Sequence, residues 1–214
     1  MVRSFLSALL ALLLITTPAY AKDRTELASK LRASTRQAFL YENGEIAGYC
    51  TAFSINDAKD YFLTAAHCVD GVDYIAVSTW NAYVIYVNPD ADLAVLVVPD
   101  SGDVPALHLA TEVAQGQELF NYGYGQGFSE PMFRAGYCSI VDIAPFEKPM
   151  PQLHVGSDEH FTVTDFAIVP GQSGGPIVNA DGNIVTINQL GDGTIGLGRV
   201  LSELYKYVGK YWEK

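Results

Sequence analysis

The chain has 214 residues, 49% of them hydrophobic, and its 24 acidic against 13 basic side chains leave a formal net charge of −11. That balance argues against a nucleic-acid partner and disfavours an anionic lipid surface, both of which reward lysine and arginine. The length supplies ample core for one domain or two small ones sharing an interface, and the four histidines and three cysteines have no metal-ligand spacing, so neither metal nor cofactor is expected.

Residues 1–21 read as an export signal, with Arg3 as the positive start, an apolar run over 5–15, and Ala19-Tyr20-Ala21 as a small-x-small cleavage site. An uncleaved anchor is the alternative, but the run is too short to cross a bilayer as a helix. Removing this segment takes away one basic residue and no acidic one, so the net charge falls from −11 to −12. No membrane partner is expected after removal, and the destination is a periplasm or the outside of the cell. From 22 to 36, Leu27, Ala28, Leu31 and Ala33 give a helical stripe.

The period then shortens to that of strands. Residues 37–41 and 46–53 flank Asn43-Gly44, a hairpin signal, and 61–66 carries His67 at its end. Strands over 74–79, 83–87 and 93–98 complete a set of about six, which suits a small closed barrel. Proline and glycine punctuate 99–117, where one barrel over 22–106 gives way to a second over 107–214. The second set reads 118–124, 135–143, 152–155, 161–165, 177–179, 184–190 and 194–200. A helix over 201–212 follows, with Leu201, Leu204, Tyr205 and Val208 on one face. The fold class is all-β, two six-stranded antiparallel barrels with a C-terminal helix.

Three short strings carry chemistry: Thr64-Ala65-Ala66-His67-Cys68, Asp90-Ala91-Asp92-Leu93-Ala94-Val95-Leu96 and Gly171-Gln172-Ser173-Gly174-Gly175-Pro176. A serine hydroxyl becomes a competent nucleophile when a base takes its proton as it attacks. An imidazole can be that base, and a carboxylate can hold the imidazole in the right tautomer. The glycines let the backbone aim the amides of Gly171 and Ser173 at a developing oxyanion. Two carboxylates compete for the orienting role. Asp92 directly precedes an apolar strand, whereas Asp90 sits in a solvated Pro-Asp-Ala turn, so Asp92 is favoured. His108, His154 and His160 lack such a context and read as surface or rim residues.

With its order His, Asp, Ser, the chain resembles the trypsin-like serine proteases, and within them the HtrA/Deg branch. The run Thr164-Asp165-Phe166-Ala167-Ile168-Val169-Pro170-Gly171-Gln172-Ser173-Gly174-Gly175-Pro176-Ile177-Val178-Asn179 is similar to that branch's nucleophile segment. Gly182-Asn183-Ile184-Val185-Thr186-Ile187-Asn188 continues the likeness, and Ile195-Gly196-Leu197-Gly198 matches the end of the family's protease domain. The resemblance implies a serine endopeptidase acting on polypeptides, with His67, Asp92 and Ser173 as catalytic residues. It also implies a Cys50–Cys68 disulfide tying the histidine loop to the preceding strand, leaving Cys138 either as a buried small hydrophobe or in an intermolecular bridge.

Two departures from the family pattern carry expectations. Gln172 stands where trypsin-like zymogens have an aspartate, so activation by an ion pair to a clipped N-terminus is not expected. The sequence given runs to Lys214, and a PDZ domain of the kind HtrA/Deg proteins usually carry is not expected, nor is the peptide-regulated behaviour that goes with it. The residue six before the serine lies at the base of the family's specificity pocket. Here it is Ala167, with Ile168 and Val169 beside it and Ile187 and Asn188 completing the expected lining. That set suits a small or medium apolar residue on the acyl side, with Asp165 the one nearby acid that would favour a basic residue instead. A catalytically silent two-barrel scaffold and an esterase are the rival readings. The intact triad stands against the first, and the order of the strings and the His67-Cys68 context stand against the second.

Overall fold

The computed structural model describes residues 19–143, 160–191 and 193–212. Most of the export segment, the strand expected over 152–155 and His154 lie outside these residues. The first element is the helix α1 (Ala19–Ser34). Its buried stripe is Leu27, Leu31 and Ser34, while Ala33 faces solvent. Among the described residues no helix is long and apolar enough to cross a membrane.

Six antiparallel strands follow: β1 (Thr35–Glu42), β2 (Glu45–Asn56), β3 (Tyr61–Thr64), β4 (Tyr74–Val77), β5 (Trp80–Asn88) and β6 (Leu93–Val97). They close into a barrel in the order β1-β2-β3-β6-β5-β4, with β4 returning to β1. The first hairpin turns on Asn43 and Gly44, both at positive φ (51° and 80°), the conformation that a tight two-residue hairpin demands. Asp73 reinforces it by accepting the Asn43 N–H at 2.6 Å.

The apolar runs of β3 and β6 are continuous rather than alternating because both of their faces are covered. Phe62 and Leu96 pack into one cluster with Ala38 and Val77, while Leu63 and Val95 pack into another. That second cluster is the largest and joins the two halves. It takes Phe53 and Leu93 from the barrel, Phe120, Val178 and Ile184 from the sheet, Leu27 and Leu31 from α1, and Leu204 and Val208 from the C-terminal helix.

The second half is a seven-stranded sheet: β7 (Glu118–Gly123), β8 (Met132–Ile143), β9 (Phe161–Thr164), β10 (Pro176–Val178), β11 (Ile184–Ile187), β12 (Leu190–Gly191) and β13 (Gly196–Arg199). Its order is β11-β10-β7-β8-β9-β13-β12. Among the described residues this sheet does not close, where a second closed six-stranded barrel was expected. The reason is visible at its edges. The strand expected over 184–190 breaks at Asn188 and Gln189, so its two pieces become the opposite edges of the sheet. A Cβ on Gly198, on β13 next to the β12 edge, would lie 2.1 Å from the Ile187 carbonyl oxygen, so the β11 edge packs against β13 and does not ladder with β12.

The C-terminal helix α2 (Leu201–Val208) is shorter than expected and passes into a 3₁₀ turn over Gly209–Tyr211. Leu201, Leu204 and Val208 are buried, whereas Tyr205 is exposed and donates its hydroxyl to the Ala110 carbonyl at 2.8 Å. Trp212 ends the chain's described part by donating its indole N–H to Leu107 O.

Candidate active site

The barrel's register places the first two candidate residues. Thr64 pairs with Ala94 across β3 and β6, so the segment after Thr64 runs beside the segment before Leu93. Ala66–Cys68 forms a single 3₁₀ turn there, pinned by the Cys50–Cys68 disulfide. His67 consequently faces Asp92. Its backbone N–H donates to Asp92 Oδ1 at 2.9 Å, and its ring Nδ1 lies 3.0 and 2.9 Å from the two carboxylate oxygens. An ionised carboxylate only accepts. Nδ1 must therefore carry the ring proton in the neutral histidine, which leaves Nε2 as an acceptor on the other side. Asp90 is exposed and makes no such contact.

The second half brings the Ser173 loop against this turn, mostly by main chain. Ser173 O accepts the Thr51 N–H at 2.8 Å and lies 3.9 Å from Cys68 Sγ, one residue from His67. Thr51 Oγ1 donates to Gly171 O at 2.9 Å and accepts from Tyr124 N at 2.9 Å. Gly174 N donates to Asn188 O at 2.7 Å, and Asn188 N returns a bond to Gly175 O at 2.8 Å. Gly174 cannot be another residue. Its φ is +80°, and a Cβ there would fall 2.3 Å from Thr64 Oγ1 and 2.4 Å from Thr51 O.

The peptide between Pro170 and Gly171 is held in one orientation. Gln126 N donates to Pro170 O at 2.8 Å, and in a trans peptide the N–H points opposite to the carbonyl. Among the described residues neither the Gly171 nor the Ser173 N–H has a protein acceptor, so both remain available to an external oxygen. Gln172 is fully buried beneath them, and its Oε1 accepts the Val169 N–H at 3.1 Å. That local bond stands where the family's zymogens form an ion pair.

The residues expected around a pocket divide into two groups. Ile168 is buried, and its side chain lies where a Cβ on Gly191 or Gly196 would meet it, at 2.8 and 2.7 Å. Val169 lies over Gly125, where an added Cβ would meet it and Met132. Ala167 offers its carbonyl to Arg134 Nη1 at 2.8 Å. Asp165 is exposed and accepts the Tyr137 N–H at 2.6 Å. Ile187 lies in the main core, and the Asn188 side chain exchanges two hydrogen bonds with Asn121 at 3.1 and 3.0 Å. A cavity of about 570 Å³ lies elsewhere, between α1 and the second sheet, beside Leu27, Phe120 and Asp181.

Of the remaining titratable groups, His108 is exposed and His160 pairs with Asp142 at 2.7 Å. Cys138 is a free thiol with no exposed surface, and burial pushes its proton affinity up. Thr51 and Arg199 are residues that the reading of the linear sequence missed. Thr51 differs in no local way from any strand threonine, whereas Arg199, a lone charge in Gly196-Leu197-Gly198-Arg199-Val200, is a visible anomaly in an apolar strand.

Residues 50–187 match the model of the trypsin-like peptidase domain. The chain belongs to that family. It is 36% identical over 140 residues to a DegP-like protein of Hahella chejuensis, described as a probable periplasmic serine endoprotease; 61% of this chain and 28% of that protein are covered. It is 32% identical over 139 residues to the mitochondrial serine protease HTRA2 of Bos taurus, covering 62% of this chain and 30% of that one. The chain thus spans less than a third of the length of these two relatives. In fold it is similar to the crystal structure of the active form of the protease Rv3671c of M. tuberculosis, with a TM-score of 0.73 at 20% identity, over 91% of this chain and 88% of that one.

Proposed function

We propose that this protein is an exported serine endopeptidase that hydrolyses peptide bonds through an acyl-enzyme. Ser173 is the nucleophile, His67 the base and Asp92 the carboxylate that orients it. The observation that carries the reading is the double contact of His67 with Asp92, set against a Ser173 loop whose carbonyl is fixed 3.9 Å from Cys68 Sγ. His67 Nε2 accepts the Ser173 proton as Oγ attacks the substrate carbonyl, then returns it to the leaving amine. The N–H groups of Gly171 and Ser173 receive the oxyanion, each contributing roughly 3 kcal/mol to the transition state. The chain divides for this purpose into 22–106, which supplies acid and base, and 107–214, which supplies the nucleophile. Residues 1–21 direct it to a periplasm or beyond, in keeping with the periplasmic description of the relative from Hahella chejuensis.

The acyl-side preference follows from Ile168. Its side chain occupies the space over Gly191 and Gly196, so the pocket admits a small apolar residue such as alanine or valine. Arg134 near Ala167 adds a positive charge that opposes lysine and arginine.

The test is reaction of the purified protein with a fluorophosphonate probe, followed by digestion of a denatured protein mixture. Labelling at Ser173 with cuts after small apolar residues is expected. Labelling without proteolysis would turn the reading towards an esterase, and no labelling towards a silent scaffold.

A further inference from the structure

The feature that the proposed chemistry does not absorb is a buried arginine. Arg199 is 2% exposed, at the end of β13 in the second half. Burying a guanidinium is costly unless its donors find acceptors. Two of the acceptors here are main-chain carbonyls of the other half, from the turn that ends in Asp92. Arg199 Nε donates to Ala91 O at 3.1 Å and Nη2 to Asp90 O at 2.9 Å. Glu203 on α2 adds an ion pair, its Oε2 3.3 Å from Nη1, and the ring of Phe161 lies 4.6 Å from the guanidinium carbon.

Gln189 grips the same turn. Its Nε2 lies 2.8 Å from both Ala91 O and Asp92 O, and the residue is 3% exposed. Three successive carbonyls, of Asp90, Ala91 and Asp92, are thus held by two side chains from the second half. The turn needs holding. Asp92 has φ +51°, a left-handed conformation that costs a non-glycine residue free energy and persists where the surroundings over-determine it. Within its own half and among the described residues, the turn's main chain is closed by Asp92 N to Pro89 O and Ala91 N to Asn88 Oδ1, both at 3.1 Å, and beyond these the Asp92 carboxylate meets only the His67 amide and ring.

We infer that Arg199, with Gln189, is a positioning residue: it locks the Asp90–Asp92 turn so that the Asp92 carboxylate meets His67 only when the second half is docked. The inference rests on the proposed role of Asp92. It makes alignment of the acid–base pair depend on the half that carries the nucleophile.

The experiment measures kcat and KM of Arg199→Met and Gln189→Met on a peptide substrate, in the wild-type and Asp92→Asn backgrounds. The expected result is a fall in kcat of about 10- to 100-fold with KM within about twofold, as for a catalytic group misplaced by a fraction of an ångström. In the Asp92→Asn background the same substitutions should change kcat by less than about threefold, because no carboxylate remains to be aimed. A folded Arg199→Met protein with wild-type kcat overturns the inference. So does an equal fold-loss in both backgrounds, which would mark a purely structural arginine. If Arg199→Met does not fold, Gln189→Met applies the same criteria to the same carbonyls. Wild-type kcat in Asp92→Asn alone would instead remove Asp92 from the mechanism, a distinct failure read from a different variant.

Discussion

In the closed barrel the candidate acid and base are fixed by side chains, with the His67 imidazole and its own amide on one carboxylate and a disulfide beside them. In the curled sheet the candidate nucleophile is fixed by main chain, through Thr51, Asn188 and glycines at positive φ. The difference follows from what each group must do. An imidazole must keep one tautomer and one ring orientation, which requires a directed acceptor. An oxyanion site must present free N–H groups, which requires neighbouring amides to be bonded elsewhere and carbonyls to be turned away. The two halves should therefore respond in opposite ways to substitution.

The largest effect expected is on the nucleophile. Ser173→Ala should lower turnover on the order of a million-fold while leaving the fold intact, since among the described residues the loop is shaped by main-chain bonds and Thr51 Oγ1. Gly174→Ala should do the reverse in kind. Its Cβ has no room, at 2.3 Å from Thr64 Oγ1, and φ is +80°. A destabilisation on the order of 3 kcal/mol or more is expected by chemical denaturation. A stable Gly174→Ala protein would break the contrast, because the loop would then not depend on its backbone conformation.

The disulfide tests the barrel side. Replacing both Cys50 and Cys68 by alanine should cost about 3 kcal/mol of stability, the cross-link closing a segment with a sequence separation of 18. A loss below about 0.5 kcal/mol would show that strand closure alone fixes the histidine turn.

How far the sequence revealed this arrangement depended on range. The strands flanking His67 and Asp92 were legible because apolar runs and turn residues are local signals, and the three strings because their chemistry is written in adjacent residues. The pairing of β1 with β4 and the failure of the second sheet to close were not. The first depends on the register of Ala38–Tyr41 against Tyr74–Val77 and the second on Gly198 meeting Ile187, contacts between strands that no local pattern encodes. Thr51 was invisible for the same reason, since its hydroxyl serves residues more than 70 positions away. Arg199 left a trace, a charge alone among apolar neighbours, but its acceptors are carbonyls, which carry no sequence signature.

Ile168→Ala sharpens the reading of the sheet side. Removing the side chain that covers Gly191 and Gly196 should let leucine or phenylalanine enter. The preference between neighbouring sizes should move by roughly 1–3 kcal/mol, read from cleavage of a peptide library. Lysine and arginine should stay excluded, because Arg134 remains on the Ala167 carbonyl.

The smallest effect concerns alkaline stability and again separates the halves. Tyr122, on β7 of the sheet, is buried at 3% exposure, and burial, with the neighbouring Tyr124, pushes its phenol from the ordinary value of 10.0 up to about 12. The folded state thus keeps a proton that the unfolded chain has already released, so stability falls with pH wherever the folded state binds more protons. The sign gives the window. The contribution of neutral Tyr122 is complete below pH 10 and is lost as the pH climbs to about 12. Tyr122→Phe removes the ionisable group while keeping the ring against Phe133. Its stability should match wild type near neutrality to within about 1 kcal/mol. Above pH 10 it should decline less steeply, which denaturation midpoints across that window would measure. Parallel alkaline limbs for the two proteins would mean that the phenol ionises without unfolding the sheet, and that β7 is open to water on the side where the structure packs it closed.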